Sequence, residues 1–200
     1  MNKKEKLDLI LSWLLLSIAF YIAFRINPII CFLAVGTGFV FHELAHRQAA
    51  RKFGFHSEYR AWYPSIVFSL ILAALTGFVF AAPGATYFFA NNVSRKQNGI
   101  ISIAGPVVNL VIGIFFLMLL AFFATSGISF FGFRGFLDIV FAVAQINFFF
   151  AFFNMLPILM LDGSKVFAWD KRLWAIVFVA SGALVFFSLQ ILSLFGIRVF

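Results

Sequence analysis

The stretch Asn27-Pro28-Ile29-Ile30-Cys31-Phe32-Leu33-Ala34-Val35-Gly36-Thr37-Gly38-Phe39-Val40-Phe41-His42-Glu43-Leu44-Ala45-His46 decides how this chain is read. It is apolar over most of its length and long enough to cross the roughly 30 Å of hydrocarbon in a bilayer. Yet it closes on three ionisable side chains. Two histidines and a glutamate in or beside a hydrocarbon span cost about 2–4 kcal/mol each unless they are paired or coordinate something. Four residues along an α-helix turn it by about 400° and raise it about 6 Å. His42 and His46 therefore share one face and can hold a single Zn²⁺ from adjacent corners of a tetrahedron. Glu43, beside them, is the candidate general base for a metal-bound water. The plain alternative is a satisfied polar cluster that only bonds helices together.

The composition places this stretch in a membrane. Hydrophobic residues make up 64% of the 200 and charged residues 11%, against about 45–50% and about 25% in a soluble domain. With a mean hydropathy of +1.05 there is too little polar surface to wet a globule of this size. Apolar runs extend over 7–24, 27–46, 64–82, 100–124, 136–161 and 173–195, joined by connections too short for a soluble domain. The expected fold is an all-α polytopic membrane protein of about six hydrophobic segments. A single transmembrane domain covers 1–200, with its catalytic core at about 27–170. Met1 to Lys6 carries three lysines, but no small-x-small cleavage site follows Phe24, so the first run reads as a retained helix. Lys and Arg outnumber Asp and Glu by 15 to 7, a net charge of +8. They fall between the spans, where they set orientation and meet anionic lipid headgroups, so no nucleic-acid partner is expected. One cysteine, Cys31, permits no internal disulfide.

A zinc site with two histidines needs a third protein ligand and an open position. His56 sits in a polar segment and reads as a surface residue, so the ligand should be a carboxylate. Glu5 and Asp8 lie at the N-terminal membrane edge, Glu58 in the basic loop, Asp138 near the start of the fifth run, and Asp170 beside Lys171. Asp162 is left, in Asn154-Met155-Leu156-Pro157-Ile158-Leu159-Met160-Leu161-Asp162-Gly163. Pro157 kinks or breaks the helix there, and a broken helix at membrane depth is tolerated where it lines a wet cavity or packs on protein. The alternative is a carboxylate at the membrane surface beside Lys165.

Together these elements resemble the site-2 protease family of intramembrane zinc metalloproteases. The family pairs H-E-x-x-H in one transmembrane helix with N-x-x-P-x-x-x-x-D-G in another. Here these are His42, Glu43 and His46, then Asn154, Pro157, Asp162 and Gly163. Between them, Ala104-Gly105-Pro106-Val107-Val108-Asn109 is similar to the family's G-P-x-x-N element at the head of the intervening core helix. The similarity runs from about Thr37 to Phe167 and fits a minimal member without PDZ or CBS domains. It implies zinc on His42, His46 and Asp162, with Glu43 activating the water. Asn154 is then a candidate oxyanion donor, or else an amide satisfying the broken helix, and Asn109 a helix-bridging hydrogen bonder. The implied activity is zinc-dependent endopeptidase cleavage of a transmembrane-helix protein substrate within the lipid bilayer.

The shared metal also constrains the topology. His46 and Asp162 must end at similar depth on one side, which two crossings between them allow and three do not. The 64–89 segment is therefore expected to enter and return, helix in and extended chain back around Pro83-Gly84. With the N-terminus cytoplasmic, this arrangement puts twelve of the 15 basic residues inside and three outside, where six plain crossings give nine and six. Its C-terminus, Phe200, faces outward, and the setting is a prokaryotic plasma membrane. The extended 82–89 stretch is a candidate to pair with unwound substrate by strand addition, or else a simply packed loop. Two rival functions remain: a metal-ion transporter or carrier using the same His/Asp cluster, and a catalytically silent binder of transmembrane helices. No motif fixes the substrate or the oligomeric state.

Overall fold

The computed structural model describes residues 1–89, 92–128, 132–158 and 160–194. Five helices among them are long and apolar enough to cross a membrane. α1 spans Lys3–Phe24, and Asn2 caps it by accepting from the Glu5 amide at 2.7 Å. Pro28 opens α2 (Pro28–Val35), where its fixed φ suits a helix start. A π-turn over Gly36–Val40 then passes into α3 (Phe41–Lys52), so one continuous rod carries the second apolar run. α5 (Arg95–Thr125) starts on a capping box between Ser94 and Gln97. α6 covers Phe133–Asn154, α7 Asp162–Trp169, and α8 Lys171–Leu194. The end of the sixth apolar run and the outward-facing C-terminus fall outside the described residues.

The third apolar run is not a span. β1 (His56–Ala61) leads into α4 (Tyr63–Thr76), which stops there because Gly77 adopts a left-handed conformation that an L side chain disfavours. The chain then returns as β2 (Gly84–Phe89), antiparallel to β1 with Ala61 opposite Gly84. A segment that ends beside its own start has entered and come back, as the parity of the site requires. Its fourteen-residue helix is also too short to cross hydrocarbon that calls for about 20 residues. Leu75, near its tip, is 79% exposed, as lipid contact allows.

Close approaches set the packing around the π-turn. Gly36 lies against the Trp13 indole, where a Cβ would come within 2.8 Å, and the Trp13 Nε1–H donates to the Phe32 carbonyl at 2.9 Å. Gly38 meets the Phe150 ring of α6 in the same way. Phe20, Phe39 and Phe150 are fully buried between these helices. The second rod is thus wedged between α1 and α6, with its histidine end held fixed.

Glu5 and Asp8, in the first turns of α1, are buried. Glu5 Oε1 lies 3.1 Å from Arg47 Nε, and Tyr63 donates to Asp8 at 3.1 Å. Tyr59 of β1 donates its hydroxyl to Ser12 at 2.9 Å. The three-residue spacing of Glu5 and Asp8 puts both on the face of α1 that meets α3 and β1. On β1 itself Glu58 accepts from His56 and pairs with Arg60, and the His56 hydrogen bond foremost holds its carboxyl below the usual range. His56 is exposed, as expected.

Candidate active site

Four elements meet at one base-rich end of the bundle: α3, β2, the start of α5, and the break between α6 and α7. On α3 the i, i+4 spacing sets two imidazoles edge to face, centroids 4.5 Å apart and planes at 84°, with Nε2 atoms 2.9 Å from each other. Asp162 Oδ2 lies 2.9 Å from His46 Nε2 and 3.2 Å from His42 Nε2. Its other oxygen faces Lys165 Nζ at 3.5 Å, so both readings of this carboxylate describe part of its surroundings. All three residues are buried.

Asp162 arrives there because α6 ends at Asn154. The break is pinned by the Trp174 indole, which donates to the Met155 carbonyl at 2.8 Å. α7 then starts so close to the 155–156 backbone that only glycine fits at 163. The predicted interruption at Pro157 is thus the device that swings the carboxylate back to α3. Gly105 has the complementary task. It sits well inside α5 rather than at its head, and a Cβ would lie 2.5 Å from His46 Nε2 and 2.6 Å from His42 Cε1. Its bare backbone lets α5 close over both rings.

The donor set fits a single metal ion. His46 Nδ1 is 2.8 Å from the Ile101 carbonyl and His42 Nδ1 is 2.6 Å from Asn109 Oδ1, which leaves both Nε2 atoms converging with the carboxylate. Tetrahedral zinc with bonds of about 2.05 Å separates its ligand atoms by about 3.3 Å. The three atoms need to spread by only a few tenths of an ångström. No other His, Cys, Asp or Glu group of this kind occurs among the described residues.

Glu43 borders a cavity of about 60 Å³, with Asp162, Asn154, Gly84, Thr86 and Ser102 in the same wall. That is room for water but not for a peptide. Asn154 gives one amide proton to the Phe150 carbonyl at 2.9 Å, within its own helix. Thr86, which the sequence did not single out, donates to Glu43 Oε2 at 2.8 Å. Asn109 bridges helices as expected, to Gly38 and to Asn147 of α6, but also reaches His42 directly.

A helical membrane bundle that brings two imidazoles and a carboxylate together beside a glutamate defines the class as a membrane metallopeptidase. Residues 30–132 match peptidase family M50, and the chain belongs to that family, the site-2 proteases. Two similar proteins each bear the name "Putative zinc metalloprotease". The one from Methanocaldococcus jannaschii is 41% identical over 181 residues, covering 88% of this chain and 90% of that protein. The one from Bacillus subtilis is 32% identical over 139 residues, covering 64% of this chain and 63% of its own. No solved structure matches.

Proposed function

We propose that this metallopeptidase is a zinc-dependent intramembrane endopeptidase that cuts a transmembrane segment of another membrane protein. The observation that carries it is the approach of Asp162 Oδ2 to both Nε2 atoms, 2.9 and 3.2 Å, across the wall from Glu43. His42, His46 and Asp162 are the ligands in this reading. Zinc held there supplies a Lewis acid that lowers the pKa of water and polarises the scissile carbonyl. Glu43 takes the proton of the attacking water and later returns it to the leaving amine. A primary amide carries two protons. Phe150 takes one from Asn154, and the other serves the oxyanion.

The substrate helix must unwind locally, because its carbonyls are tied up in internal hydrogen bonds. β2 borders the cavity and, among the described residues, pairs with β1 on one edge only, so its other edge suits an added substrate strand. The setting is a prokaryotic plasma membrane with a cytoplasmic N-terminus, in line with the archaeal and bacterial origin of the similar proteins.

The test is Glu43→Gln in the full chain, purified in detergent and incubated with a panel of transmembrane peptides. Cleavage should vanish while zinc stays bound. Undiminished cleavage defeats the mechanism, and zinc flux across liposomes carrying the protein indicates a transporter instead.

A further inference from the structure

We infer that Asn109, oriented by the Gly38 carbonyl and by a chain through Asn147 and Thr37, fixes the tautomer of His42 and so keeps its Nε2 lone pair aimed at the metal position. The two imidazoles are held differently. His46 Nδ1 faces a backbone carbonyl, which can only accept, so its proton must sit on Nδ1. His42 Nδ1 faces a side-chain amide, which could present either end. Something must settle which.

The direction follows from where the protons can go. The Ala34 carbonyl accepts from the Thr37 hydroxyl at 2.8 Å, so that hydroxyl can only accept from Asn147 at 3.0 Å. Asn147 must therefore turn its NH₂ group to Thr37, and the Val143 carbonyl, 2.8 Å from the same nitrogen, demands the same. Asn147 Oδ1 is left facing Asn109 at 3.0 Å and needs a donor there. The Gly38 carbonyl, in the π-turn, needs that donor too, at 2.7 Å. Asn109 Oδ1 is then the only end left for His42, so Nδ1 carries a proton and, in the neutral ring, Nε2 keeps its lone pair for a metal. Three carbonyls, on α2, the π-turn and α6, all impose one sense.

Burial shows that this arrangement is not incidental. Asn109 and Asn147 have no exposed surface, deep in an apolar bundle. Apolar side chains of similar size would join these helices without desolvating two amides. Asn109 and Asn147 are positioning residues, acting on the metal centre through His42.

The inference rests on reading His42 as a ligand, and the experiment separates the two. The chain has three histidines, so the imidazoles of ¹⁵N-labelled, metal-free protein can be resolved by NMR and assigned by substitution. Wild-type His42 should carry a proton on Nδ1. Asn109→Leu should release it into a tautomer mixture and weaken zinc affinity about 10–100-fold, with His46 unmoved. Asn147→Leu, which leaves Gly38 as the remaining anchor, should give the same change at smaller amplitude and serves should Asn109→Leu not fold. A wild-type His42 with no proton on Nδ1, or an unmoved Nδ1 proton and zinc affinity in both leucine variants, overturns the inference. A wild-type protein with the expected tautomer that takes up no zinc overturns the ligand reading instead.

Discussion

The hydroxyl of Thr86, on the strand that returns from the membrane, donates to Oε2 of Glu43 across 2.8 Å. The candidate base is therefore held by the strand proposed to receive substrate. A hydrogen bond to a charged group contributes about 1.5–3 kcal/mol. Thr86→Val should lower kcat at least about tenfold, leave zinc content unchanged, and be rescued by Thr86→Ser. Steady-state cleavage of a transmembrane peptide, with metal analysis alongside, measures both.

Gly105 should tolerate no side chain. A methyl group there collides with both imidazoles, although alanine is favoured over glycine in a helix by about 1 kcal/mol. Gly105→Ala should thus retain helicity by circular dichroism yet lose zinc at least about tenfold more readily to a chelator, as a disturbed ligand shell does.

Gly163 faces a harder obstacle, since a Cβ would meet the Met155 and Leu156 backbone rather than movable side chains. Gly163→Ala should displace α7 and with it Asp162. The expected result is loss of cleavage and of zinc together, whereas Glu43→Gln separates them.

Arg47, next to His46, is tied to Glu5 on α1. Removing one partner of a buried ion pair costs about 3–5 kcal/mol because the other charge is left uncompensated. Arg47→Leu should lower the thermal midpoint in detergent, and Glu5→Leu added to it should restore much of the loss. Additive losses in the double variant would remove the ion pair from the account.

The sequence carried the chemistry better than the packing. His42, Glu43 and His46 are legible because helical geometry fixes their mutual placement, and Pro157 marks the break that lets Asp162 turn inward. The return of the 64–89 segment is legible from parity and charge, since both follow from the order of spans. The end of α4 at Thr76 is not, because hydropathy continues unbroken to Ala82 and only the backbone of Gly77 stops the helix. β1 reads as a polar loop, for its six residues become a strand only when β2 arrives to pair with them. Thr86, Asn147 and buried Glu5 share that difficulty. Each gains its role from a partner 38 or more positions away, to which no local spacing points.

The imidazoles belong to position 42 and position 46, while the carboxylate that joins them belongs to position 162. A nascent chain leaving the ribosome therefore carries the histidines long before it carries the aspartate. Until α7 has emerged and docked, the half-made protein holds only two of the three converging side chains, so the cluster is completed by one of the last helices to be made.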